Sequence, residues 1–104
     1  MWVFDHGVFQ RHRPEVVPRT HPFFGHPNVE WLKSDRGVDW YDITTKEQYN
    51  PSSHWWVCVD AKSGRIRAQS AVPDTLFPLG QRLIETREQI DQALVWDGKA
   101  FVAP

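Results

Sequence analysis

Five histidines, one cysteine and a cluster of carboxylates are the side chains of this 104-residue chain whose chemistry is worth testing first. His21 and His26 frame the loop HPFFGHP, with His6, His12 and His54 elsewhere. Zinc needs three or four ligands converging at about 2.0–2.3 Å. The prolines Pro22 and Pro27 stiffen this loop, and no cysteine or acid stands at ligand spacing beside it. The spacing therefore predicts loop histidines without a metal, and whether His21 and His26 bind one stays open. Cys58 lies between Val57 and Val59 in an apolar run, the setting of a small buried hydrophobe rather than a thiolate nucleophile. The serines fall in turn sequences or at a strand end, outside a nucleophile elbow. The glycines are scattered singly, so no loop is built to cradle phosphate. Asp35, Asp39 and Asp42 gather near Trp40 and Tyr41, a set that paired-carboxylate sugar chemistry could use. Acids alternating with aromatics in a short segment more often mark a solvent face. The expectation is a chain with no catalytic residues, no cofactor and no enzyme activity.

The aromatic residues point elsewhere. Six Trp and six Phe accompany a single Met. Rings of this size thicken a thin core, and they also anchor interfaces. Partner-contact candidates are Phe23, Phe24 and His26 in the Pro-rich loop, with Trp31, Trp40, Tyr41 and Trp55. Trp55 and Trp56 are adjacent, so a strand would send them to opposite faces. Trp96 is expected in the core, because it enters a closing hairpin.

Charge excludes some partners. Residues 1–54 carry six basic and seven acidic side chains, and residues 55–104 carry six of each. Nucleic-acid and anionic-membrane binders need a basic face, which neither half supplies; Arg11, Arg13 and Arg19 leave a local basic cluster open, but three charges over nine residues more often mark a solvated stretch, so nucleic acid is not the expected partner. The acid at Asp5 interrupts the apolar run that a signal peptide requires, and no longer apolar stretch follows. Synthesis in the cytoplasm is expected, with no membrane partner.

The elements that must hold these residues read as a β-rich α+β domain spanning 1–104, with a small antiparallel sheet built from hairpins. Hairpins are expected at about 2–9 around Asp5-His6-Gly7, at 55–70 around Ala61-Lys62-Ser63-Gly64, and at 95–102 around Asp97-Gly98. Residues 10–28 hold four prolines and should cross the surface as an extended segment. Residues 29–34 suit a short strand or one helical turn, and 38–43 alternate as a strand does. Thr44 with Glu47 and Thr86 with Gln89 have capping-box spacing, which predicts short helices at about 45–49 and 87–94; one helix over 82–94 is the alternative to the second, since Leu83, Ile90 and Leu94 would share a face. Residues 83–85 suit a short strand, and the apolar loop 76–80 should pack on the sheet. Ile66 and Ala68 alternate with polar residues, which predicts a sheet with one face in water.

Two stretches of the C-terminal half, VDAKSGRIRA followed by VPDTLFPLGQRLIET, and the closing VWDGKAFV, resemble small tail-fibre-associated and tail-fibre-assembly proteins of tailed bacteriophages. The matching positions are Val59, Asp60, Gly64, Ile66, Pro73, Asp74, Pro78, Trp96, Asp97, Gly98, Phe101 and Val102. The resemblance implies a non-enzymatic tail component or assembly factor, made in the host cytoplasm, whose partners are other phage tail proteins and a second copy of itself. An oligomer, incorporated in the virion tail or released from it, would follow. Two readings of other classes stand beside this one. One is a phage-encoded inhibitor that occludes a host defence complex. The other is a carbohydrate-binding or metal-assisted module using Trp40 and Tyr41 or His21 and His26.

Overall fold

A computed structural model describes residues 1–12 and 31–104. The architecture is β-rich α+β. A five-stranded antiparallel sheet has the order β2-β1-β5-β3-β4, and β6 and β7 form a separate two-stranded sheet. The strands are β1 (Val3–Arg11), β2 (Leu32–Ser34), β3 (Trp55–Asp60), β4 (Ile66–Ser70), β5 (Gln81–Thr86), β6 (Val95–Trp96) and β7 (Phe101–Val102). One helix, α1 (Trp40–Tyr49), and one 3-10 turn, Pro73–Thr75, complete the described elements. The Pro-rich segment, with Phe23, Phe24 and His26, lies almost wholly outside the described residues.

The expected hairpin at 2–9 is instead one long strand. Gly7 does not turn the chain back; it absorbs a bulge. Asp5 pairs with Ile84 and Gly7 with Leu83, so His6 is an extra residue on β1. Gly7 has φ +95°, and a Cβ there would stand 2.2 Å from Asp35 Oδ1. Only glycine fits both demands. The Asp5 carboxylate steadies the bend by accepting the Gly7 N–H at 2.8 Å and a two-pronged contact from Arg82 at 2.8 and 3.0 Å.

The hairpin at 55–70 forms as expected, with a second bulge. Val59 pairs with Ile66 while Cys58 pairs with Ala68, leaving Arg67 over. That extra residue sends Ile66 and Ala68 to opposite sides of the sheet. The simple alternation read from the sequence fails there, and so does the expectation of a wet face. Both faces of the central strands are covered. On one side Phe9, Leu32, Trp40, Ile43, Trp56, Cys58 and Leu83 form a core with Leu76 and Leu79 packed on it. On the other, Val57, Val59, Ile66, Ile84, Ile90 and Trp96 form a second core. β3 reads as an unbroken apolar run because each of its faces is buried.

Two helix expectations are corrected. α1 starts at Trp40, not near Thr45, and absorbs the strand expected at 38–43. Asp39 caps it, its carboxylate accepting the Tyr41 N–H at 2.8 Å. Trp40, Ile43 and Glu47 then share the buried face at helical spacing, a pattern that six residues of apparent alternation conceal. Residues 87–94 form no helix. The Thr86 hydroxyl donates to the Glu88 carbonyl instead of capping. The Gln69 side chain binds both the N–H and the C=O of Ile90, at 3.0 and 2.8 Å, so the groups a helix would use are taken. The segment serves as a cover that plants Ile90 in the second core.

The closing hairpin β6–β7 forms as expected, with Asp97 accepting the N–H groups of Lys99 and Ala100 at 2.8 Å each. Trp96 is buried, also as expected. Among the described residues, no helix is long and apolar enough to cross a membrane.

Candidate functional site

Two places concentrate chemistry or exposed apolar surface. The first is a half-buried carboxylate. Alternation along β5 puts Glu85 on the same face as Leu83, inside the sheet's covered side. Its cross-strand neighbours are Phe4 on β1 and Trp56 on β3. An anion in that row needs partners. His6, the bulge residue, donates from Nε2 to Glu85 Oε1 at 2.8 Å. His54, just before β3, donates from Nδ1 to Oε2 at 2.5 Å. Trp2 packs on the His54 ring at 5.1 Å, and Phe4 and Trp56 flank the His6 ring at 4.7 and 5.5 Å. The Arg87 guanidinium lies 5.3 Å from the Trp2 ring centre. Burial pushes the Glu85 pKa up, but the hydrogen bonds and charges of His6 and His54 outweigh it and hold the carboxyl below its usual value. This arrangement fastens β1, β3 and β5 together through one anion.

The second place is a groove beside α1. Trp40, Ile43 and Glu47 face the core, so Tyr41, Thr44, Thr45 and Gln48 are left to face outward along one side of the helix. Asp74, Leu76 and Phe77 form the facing wall, enclosing a cavity of about 480 Å³. A second cavity of about 270 Å³ continues it, lined by Pro51, Ala71, Val72, Pro73 and Glu47 and sharing Thr44, Gln48 and Asp74. Three large hydrophobic side chains stand exposed at these walls: Tyr49 at 79%, Val72 at 53% and Phe77 at 50%. The Glu47 carboxylate is already engaged, accepting from the Ser52 N–H at 2.9 Å and from Lys46 at 3.3 Å.

The sequence candidates separate on this framework. Trp40 is a core residue, 3% exposed and edge-on to Phe9 at 5.9 Å, and it lines the floor of the groove. Its place at the first turn of an inward-facing helix is the reason. Trp31 and Tyr41 are half-buried and touch each other edge-on at 5.3 Å. Trp55 is half-buried and Trp56 buried, on opposite faces of β3. Phe23, Phe24 and His26 fall outside the described residues, as does His21.

The three clustered acids form no pair. Asp35 Oδ1 accepts the Val8 N–H at 3.0 Å, Asp39 caps α1, and Asp42 lies exposed in its first turn. Cys58 is buried, and burial pushes its thiol pKa up to about 12, so it is no nucleophile at neutral pH. Among the described residues, no three His, Cys, Asp or Glu side chains are grouped to hold a metal. Glu85, Asp74, Tyr49 and Phe77 carry no sequence signal of their own. Only the pairing register brings Glu85 to the two histidines, and only the packing of α1 against 71–77 exposes the other three together. Comparison with protein-family models and with curated proteins finds no match to this chain.

Proposed function

We propose that this protein is a non-enzymatic contact protein of the tail-associated class that its C-terminal half resembles: a tail component or a tail-fibre assembly factor. The observation that carries the contact reading is the groove beside α1, where Tyr49, Val72 and Phe77 stand exposed around two adjoining cavities. Exposed apolar groups gathered at one place mark an interaction surface more often than scattered ones do. Aromatic side chains there are the usual anchors of protein interfaces. The tail assignment itself rests on the resemblance. Asp74 is one of its positions and lines the groove, while Gly64, Asp60 and Asp97 act in turns. The partners on this reading are other tail proteins and a second copy of the chain.

Thr44 is half-buried at the centre of the groove and shared by both cavities. Thr44→Arg fills that space while placing a good helix former in α1, so its effect on stability should stay within about 0.5 kcal/mol. In cells that assemble tails, the wild-type chain should sediment with tail particles and Thr44→Arg should lose that association by about tenfold. Equal sedimentation of the two, with both folded, would count against the groove as the contact surface.

A further inference from the structure

The groove has a charge character as well as a shape. Among the described residues, neither cavity is lined by a Lys or Arg, and the carboxylates that line them belong to Asp74 and Glu47. Glu47 is satisfied within the chain. Asp74 is exposed, lines both cavities, and has no ion-pair partner among the described residues. Its carboxylate is the charge that the groove leaves open.

We propose that the occupant is a short extended segment of a partner protein in which a large apolar side chain stands next to a lysine or arginine; this rests on the contact reading above. The larger cavity, about 480 Å³, is within the roughly 300–1,000 Å³ of ligand sites. Its wall of Leu76, Phe77 and Tyr41 takes an apolar side chain. The neighbouring basic group meets Asp74, where the two cavities join. Thr44, Thr45 and Gln48 offer hydroxyl and amide groups along one helix face, suited to the main chain of an extended peptide. α1 has ten residues and runs about 15 Å, which an extended segment of four to five residues spans. Among the described residues, Pro51, Ala71, Val72 and Pro73 give the smaller cavity an aliphatic wall, which suits a second apolar side chain of the same peptide.

The test uses the full chain and a randomised octapeptide display library. Peptides enriched on the wild type should pair an aromatic or large aliphatic residue with an adjacent Lys or Arg. Asp74→Asn should weaken a selected peptide by about fivefold, the size of a solvent-exposed ion pair. Asp74→Lys should shift enrichment to peptides with an acid in the basic position, and Thr44→Arg should abolish binding. Enrichment without basic residues, or a preference unchanged in Asp74→Lys, would overturn this partner class. If Thr44→Arg still abolished binding in that case, the contact reading would survive alone. Selected peptides indifferent to Thr44→Arg would sink both. Retention on a glycan array by the wild type but not by Thr44→Arg, with no peptide enriched, would make the groove a sugar site and overturn the proposal.

Discussion

Gly64→Ala is expected to lower stability by about 3 kcal/mol and to loosen the C-terminal hairpin from the sheet. Gly64 closes the β3–β4 turn, its N–H donating to the Asp60 carbonyl at 2.9 Å. Its φ of +74° costs a side-chain-bearing residue roughly 1–2 kcal/mol by itself. Steric contact adds to this cost. A Cβ at this position would stand 2.1 Å from the Trp96 carbonyl oxygen, and backbone cannot swing aside as a long side chain can. The Gly64 carbonyl also accepts the Trp96 N–H at 2.9 Å. Relieving the clash therefore means moving β6, breaking that bond and lifting Trp96 from the second core. Urea unfolding followed by tryptophan fluorescence would read both effects, as a lower midpoint and a red-shifted native spectrum. A loss of only about 1 kcal/mol with an unchanged native spectrum would mean that the backbone conformation is the sole cost.

Glu85→Gln is the second large effect, and its signature is pH. At neutral pH the substitution should cost about 2 kcal/mol, because an ionised acceptor of two imidazole N–H groups becomes a neutral amide. Glu85 has a folded pKa held below its ordinary value of 4.5. The contribution of its charge is therefore fully present above that ordinary value. It is lost as pH falls through the lower, folded value, since the unfolded chain takes up the proton first. The wild type should lose stability as pH falls below 4.5, and Glu85→Gln should lose less over the same descent. The gap between the two proteins should thus narrow on acidification. A gap of constant size from pH 7 to pH 3 would show that the carboxylate contributes by shape alone. His54→Ala combined with Glu85→Gln should cost less than the sum of the single changes, because both act on the same hydrogen bond, one weakening it and the other removing it.

How much of the fold is legible in the sequence follows from the range of the interactions involved. The hairpins at 55–70 and 95–102 are specified by neighbours: β-branched and aromatic runs on either side of turns whose Asp60 and Asp97 bind backbone a few residues on. The α+β class follows from these. The first strand is not legible, because glycine within an apolar segment serves a turn or a bulge equally well, and only pairing with β5 decides between them. An apparent alternation over six residues obscures the start of α1, and the cap at Asp39 looks in sequence like one more acid. Residues 87–94 keep a capping-box spelling, but the side chain of Gln69, more than twenty residues distant, claims the backbone of Ile90. Long-range hydrogen bonding overrides local propensity there. The two bulges are equally silent in sequence, and they decide which apolar residues meet which core.

The site is less legible than the fold. Tyr41 stands out in the sequence and does line the groove, while Trp40 beside it belongs to the core floor. Asp74 stands out only through the resemblance, and Phe77 and Tyr49 only as parts of a loop and a helix end. His6 and His54 lie 79 and 31 residues from Glu85 in sequence, and their meeting depends on a strand order that local patterns do not encode.

The central claim is that the groove beside α1 is where this protein touches a partner. It is tested most directly by a photocrosslinking amino acid placed at Gln48, which lines both cavities, and for comparison at Lys99, in the exposed closing turn. After irradiation in cells that assemble tails, the account predicts one dominant adduct from position 48, identified by mass spectrometry as a tail protein or a second copy of the chain, and absent from position 99. No adduct from position 48, or the same adducts from both positions, would contradict it.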